Sequence, residues 1–408
     1  MVRMKELCIV LAVLMIDVAT VRCYNPNNGR SLQHVHVVGN NYQVGFQIGR
    51  LFKPEIQNLI KGYDYYHSLE TFYNTTEGRV AFERFLEQVK EHYPMYKREL
   101  EGLAAGAGVS FAQVFILNIE PEYAILMHGH SDNFQVEFGA SSRFSSGDIF
   151  DARNETEFIH ITDVPSELRG SGFILSATVL SNNASWKNEK FTTFVIPGFL
   201  PGSTWSYSQG TIRTVNGLFP KKINRAGIPR YFVTRALLAV SDIGAVNRII
   251  ASEPGVASGF SFMQISKKYK NVFSYYGYSR HTELEAYTYR RVTEVHGNEI
   301  QVQTTDFYPE SFYFHFNMYQ NTANISQFTD METIYKQACI SQYLYKELEL
   351  HNLFMCPGNP SYERIRGEGA YITDNIVVFK PSEGVADIYA AGPFWGEKML
   401  SLQMPLTD

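Results

Sequence analysis

Apolar positions in the first quarter of the chain fall at helical spacing, whereas those in the middle come in short blocks between turn residues. After Val44-Gly45-Phe46-Gln47-Ile48-Gly49, apolar residues recur at Leu51, Phe52, Ile56, Leu59 and Ile60, which predicts helix with one apolar face. Gly45 and Gly49 lie about one turn apart and predict close packing against a neighbour. Phe82 to Tyr93 repeats the helical period, with Glu83, Glu87 and Glu91 one turn apart toward solvent, and Pro94 is placed to open a second helix to Leu103. Gly106-Ala107-Gly108 then ends that helix, and Ser110 starts another.

Beyond residue 140 the pattern changes to Gly147-Asp148-Ile149-Phe150, Glu157-Phe158-Ile159-His160-Ile161, Gly172-Phe173-Ile174-Leu175-Ser176 and Phe191-Thr192-Thr193-Phe194-Val195-Ile196, which predicts an antiparallel sheet. Pro229 opens a helix through Leu238, strands resume over Gly259 to Tyr278 and Leu284 to Thr305, and Met331 to Leu350 has helical character. An Ile376-Val377-Val378 strand and an Asp387-Ile388-Tyr389 strand flank a hairpin connection. No Pro/Gly/Ser-rich linker or internal repeat interrupts residues 24–408, so one layered α+β domain is expected.

Composition adds little about chemistry. The 26 Tyr and 29 Phe favour strand-rich structure with broad aromatic packing, and a net charge of -5 on 408 residues with interspersed signs gives no footprint for nucleic acid. The N-terminus is more specific. Arg3 and Lys5 precede an apolar run from Leu7 to Ala19 that is too short to span a bilayer comfortably, which predicts a cleaved signal peptide over residues 1–23. No later stretch has the length of a membrane span. A secreted, extracellular glycoprotein is expected, with Asn-x-Ser/Thr acceptors at Asn74, Asn154, Asn183 and Asn324. Cys339 and Cys356 would remain beyond the signal, either as a disulfide worth up to about 3 kcal/mol or as free buried thiols. They do not form a metal site, and neither a metal nor a cofactor is expected.

Several stretches carry a resemblance. Glu101-Gly102-Leu103-Ala104-Ala105-Gly106-Ala107-Gly108-Val109, Leu117-Asn118, Leu200-Pro201-Gly202, Val215-Asn216, Pro229-Arg230 and Thr234-Arg235-Ala236-Leu237-Leu238-Ala239 follow one another over most of the chain. In order and spacing they resemble the acyl-CoA:6-aminopenicillanic acid acyltransferase family, which includes isopenicillin N acyltransferase and insect N-β-alanyl-dopamine hydrolase. The resemblance implies an N-terminal-nucleophile hydrolase-like αββα sandwich, two antiparallel sheets between helical layers. It also implies a cysteine released by self-cleavage, whose thiol attacks amides or thioesters while its freed α-amino group serves as base.

The family's cysteine follows a glycine, precedes Ser/Thr and lies between the Leu-Asn pair and a Gly-led strand. Here that position reads Phe138-Gly139-Ala140-Ser141-Ser142, and Ala140 has no nucleophilic atom. The rival register, Gly129-His130-Ser131, has no cysteine either, and none occurs between Cys23 and Cys339. The family's Asn-x-Asp aligns with Asn154-Glu155-Thr156 and its Asn-x-Glu with Ser274-Tyr275-Tyr276, while His315-Phe316-Asn317 resembles its late His-x-Asn. Two expectations follow. One is an inactive relative that binds a small amide or aromatic ligand, or a protein partner, with Asn154, Asn216 and Asn317 at binding positions. The other is an active amidohydrolase or acyltransferase using Ser141, Ser142 or Ser131, with His315 as a further candidate, although turn serines and a packed histidine need no catalytic explanation.

Overall fold

The computed structural model describes residues 32–128, 145–151, 157–181, 187–268, 286–296, 299–306, 312–319, 325–328, 333–334, 337–338, 371–390 and 398–406. A strand, β1 (His34–Gly39), comes first and turns directly into α1 (Asn41–Leu51). A capping box closes the first turn of α1. The Gln43 backbone N–H donates to the Asn40 side chain at 3.0 Å, and the Asn40 N–H donates to the Gln43 side chain at 2.9 Å. Pro54 in the first turn of α2 (Lys53–Gly62) divides the periodic stretch into two helices. There follow α3 (Asp64–Tyr73), α4 (Thr76–His92), α5 (Pro94–Ala107), α6 (Phe111–Asn118) and α7 (Glu120–His128). As the sequence predicts, α5 opens on Pro94 and stops at Gly108, whose φ of 69° lies in the left-handed region, and Ser110 caps α6 in a second box with Gln113.

Helices α1 and α5 touch backbone to backbone. A Cβ added at Gly45 would stand 1.9 Å from the Glu99 carbonyl oxygen, and one at Gly49 would stand 2.2 Å from that of Leu103. The contact is reciprocal: Gly102 meets the Tyr42 oxygen at 2.0 Å and Gly106 meets that of Phe46 at 2.2 Å. Both helices therefore present glycines four residues apart to the same interface, which is the close packing expected from Gly45 and Gly49.

The described strands form two sheets, the number that the resemblance implies, whereas the strand pattern alone reads as a single antiparallel sheet. The eight-stranded sheet runs β1, β4 (Phe173–Val179), β5 (Glu189–Val195), β6 (Trp205–Ser208), β7 (Thr211–Leu218), β8 (Gly259–Lys268), β9 (Ala286–His296) and β10 (Glu299–Asp306). The six-stranded sheet runs β11 (Phe312–His315), β2 (Ser145–Asp151), β3 (Glu157–Pro165), β12 (Tyr371–Lys380), β13 (Val385–Tyr389) and β14 (Lys398–Gln403). The runs at 147 and 157 pair with each other in the smaller sheet, and those at 172 and 191 pair in the larger one. Local alternation specifies a strand without naming its partner, so the pattern could not make this division. The 376–389 hairpin forms as expected. β1 pairs with β4 in parallel, which makes the larger sheet mixed. The helix expected over Met331 to Leu350 lies mostly outside the described residues, as does the stretch from 269 to 285.

The sheets pack face to face. Trp205 of β6 meets Phe379 of β12 edge-on at 5.8 Å, and Phe158 of β3 stacks on Phe379 at 5.5 Å. On the other side of the larger sheet, Phe52 stacks on Phe173 at 3.8 Å and joins the helical layer to it. A buried ionic network strengthens that junction. Arg235, on α8 (Arg230–Leu237), donates through Nε and Nη2 to Glu99 at 3.1 and 2.9 Å and through Nη1 to Glu189 at 2.7 Å. Tyr96 and Asn41 donate to the same two carboxylates, at 3.1 and 2.9 Å. Burial alone would lower the Arg235 pKa, but Glu189 and Glu99 outweigh it and hold it above its ordinary value.

Candidate functional site

The residues that carry the resemblance perform identifiable structural work. The Asn118 side chain donates to the Gly198 carbonyl at 2.9 Å and accepts from the Leu200 N–H at 2.7 Å, which fixes the entry to the Leu200-Pro201-Gly202 turn. Arg230 donates to the Gly259 carbonyl at 2.9 Å and binds α8 to β8. Its own N–H donates at 3.0 Å to the buried Glu122, which also accepts from Ser258 at 2.5 Å. Burial pushes the Glu122 carboxyl up, and nearby Arg230 offsets only part of the rise.

A different carboxylate organises the space between the sheets. Asp148 on β2 is wholly buried and stands in register with His160 of β3 on one side and His315 of β11 on the other. These three side chains therefore form a row across the inner face of the smaller sheet. Asp148 Oδ1 lies 2.8 Å from His160 Nδ1, while Oδ2 accepts from Thr214 Oγ1 at 2.9 Å and Asn216 Nδ2 at 2.5 Å. Thr214 and Asn216 are two residues apart on β7, so both face inward from the larger sheet. With three partners the charge is satisfied despite its burial, and the carboxylate bonds the two sheets to each other.

His315 and Asn317 reach the same region. Ser261 of β8 pairs in register with Asn216, and its Oγ lies 3.0 Å from His315 Nδ1. Asn317 donates to the Gly217 carbonyl at 2.9 Å. The structure thus gathers Asn216, His315 and Asn317 around the β7–β8 pair. Phe316 between them points away, into an apolar cluster with Ile149, Ile159 and Ile161 on the outer face of the smaller sheet.

Hydrogen-bonding capacity remains at this site. His160 Nε2, Asn216 Oδ1, Thr162 Oγ1 and the Asn375 side-chain amide are buried and find no partner among the described residues. Thr162 and Asn375 are direct cross-strand neighbours, and Thr162 is two residues from His160 on the same face. With a proton on Nδ1 donated to Asp148, Nε2 of His160 is left as an acceptor that can take a hydrogen bond.

Ala140, Ser141, Ser142, Ser131, Asn154, Thr156 and Tyr276 lie outside the described residues, as do Asn183, Asn324, Cys339 and Cys356. Asn74 is described and stands exposed at the C-terminal end of α3. Among the described residues no group of three His, Cys, Asp or Glu could hold a metal ion, and no helix is long and apolar enough to cross a membrane. Asp148, His160, Thr214 and Ser261 were not singled out from the sequence. In β2 and β3 they alternate with isoleucines, so the polar positions imitate a solvent face, and only the second sheet shows that both faces are covered.

No protein-family model matches the chain. It is 29% identical over 218 residues to the beta-alanyl-dopamine/carcinine hydrolase of Drosophila melanogaster, an alignment covering 52% of this chain and 55% of that protein. The match thus spans about half the length of the curated relative. Over that half, the chain is a distant homologue of the beta-alanyl-dopamine/carcinine hydrolase.

Proposed function

We propose that this chain is a secreted, catalytically inactive relative of that hydrolase, with an N-terminal-nucleophile hydrolase-like αββα fold, and that it acts by binding. The observation carrying this reading is chemical: Ala140 stands where the family places its thiol, and the chain has no cysteine between Cys23 and Cys339. Without that side chain the family's self-cleavage and its thiol attack on an amide carbonyl have no nucleophile. The buried acceptors of His160 and Asn216 support a retained site for a small ligand.

The test is to purify the secreted protein, measure its intact mass and assay hydrolysis of β-alanyl-dopamine and carcinine. A single chain lacking its signal peptide and showing no turnover is expected. Restoring Ala140→Cys alone should fall short of full activity, because Thr156 and Tyr276 still occupy the aligned acidic positions. One observation favours a second reading, a serine amidohydrolase. Asp148 and His160 form a carboxylate–imidazole pair able to act as a base. Turnover abolished by both Ser141→Ala and His160→Ala would replace the first reading with this one.

A further inference from the structure

Away from the inter-sheet site, the fold brings two imidazoles together on one strand. His34 and His36 are two residues apart on β1, so their side chains leave the strand on one face. Their ring centroids are 4.4 Å apart with the planes tilted by 36°. β1 is an edge of the eight-stranded sheet, His36 is exposed and His34 is half-buried. Beside them, His34 Nε2 lies 2.9 Å from Ser176 Oγ on β4, which is 2.8 Å from Thr192 Oγ1 on β5. The basic side chain on that face of β5, Lys190, stands two strands away from β1.

We propose that His34 and His36 form a two-imidazole site for a divalent first-row transition metal, copper(II) foremost and zinc(II) after it. Two imidazole nitrogens bound to one ion at about 2.0–2.1 Å lie roughly 3 Å from each other, a separation that rings with this centroid spacing reach by side-chain rotation alone. Imidazole is the neutral nitrogen donor that copper, zinc and nickel prefer over magnesium or calcium, and the order of affinity puts copper first. Two protein ligands leave positions for water, with the Ser176 hydroxyl next to the pair. The metal is therefore exchangeable and open to an external donor.

The experiment uses the full secreted chain stripped with a chelator. Copper(II) is titrated in by calorimetry, and the first equivalent is examined by electron paramagnetic resonance; zinc(II) and magnesium(II) are titrated in parallel. One tight copper equivalent with coupling from two nitrogens, weaker zinc and no magnesium uptake is expected. His36→Gln should weaken that equivalent by at least about tenfold, and the His34→Gln/His36→Gln pair should abolish it. Circular dichroism of the metal-free variants checks folding. If the double variant is unfolded, the exposed His36→Gln decides alone. A first equivalent that binds the folded variant as tightly as the parent, or that lacks two-nitrogen coupling, overturns the proposal.

Discussion

Replacing Gly45 by alanine tests whether the α1–α5 contact is as close as its backbone geometry requires. The new Cβ would lie 1.9 Å from the Glu99 carbonyl oxygen, where ordinary contact begins at 3.4 Å, so the helices must separate by roughly 1.5 Å. The obstacle is backbone and cannot rotate aside. Overpacking of this kind costs about 1–3 kcal/mol or more, against a helix-propensity gain of up to about 1 kcal/mol for losing a glycine. A net loss of about 2 kcal/mol is expected in urea unfolding of Gly45→Ala. Gly62, in the last turn of α2, has no atom within 4 Å of the same added Cβ, so Gly62→Ala should be neutral or stabilise by about 0.5 kcal/mol. Pairing Gly45→Ala with Gly102→Ala should cost less than the separate losses combined, because helices already parted accommodate the second methyl. A Gly45→Ala protein as stable as the parent would refute the reasoning.

Arg235→Met leaves Glu99 and Glu189 buried without their cation and should destabilise by about 3–5 kcal/mol in the same assay, whereas replacing all three by apolar residues of similar size should recover most of the loss. Glu122 makes stability depend on pH. Its folded pKa is raised, so its favourable contribution is complete below about pH 4.5, the ordinary value, and is lost as pH rises through the folded pKa. The stability of Glu122→Gln relative to the parent should therefore improve from about pH 4.5 to neutrality, and urea midpoints that keep a constant gap would contradict this.

Features governed by local geometry were legible in the sequence. Pro94, Gly108 and Ser110 bound their helices where chain stereochemistry requires, and Gly45 and Gly49 announce a neighbour because only a close neighbour accounts for paired glycines on an apolar helix face. Partnership between distant segments was not legible. Nothing near residue 147 or 172 says that these strands enter different sheets, and β1 shows mainly alternating histidine and valine. The site divides in the same way. Asn216, His315 and Asn317 emerged through a resemblance and lie around one strand pair, but the carboxylate linking that pair to the other sheet was hidden because nothing in its own strand names the strand that faces it.

The parallel pairing of β1 bears on how the chain is made. His34 aligns with Ile174, so β1 must wait for about 140 more residues to leave the ribosome before its partner exists. No hairpin can hold it meanwhile, and closing so large a loop without local contacts is slow. The α1–α5 interface, by contrast, is complete once residue 107 has emerged, and it can gather the helical layer early. During synthesis β1 is thus an unpaired strand tethered to a formed helix pair until β4 emerges, and its docking there supplies one of the two edges of the larger sheet.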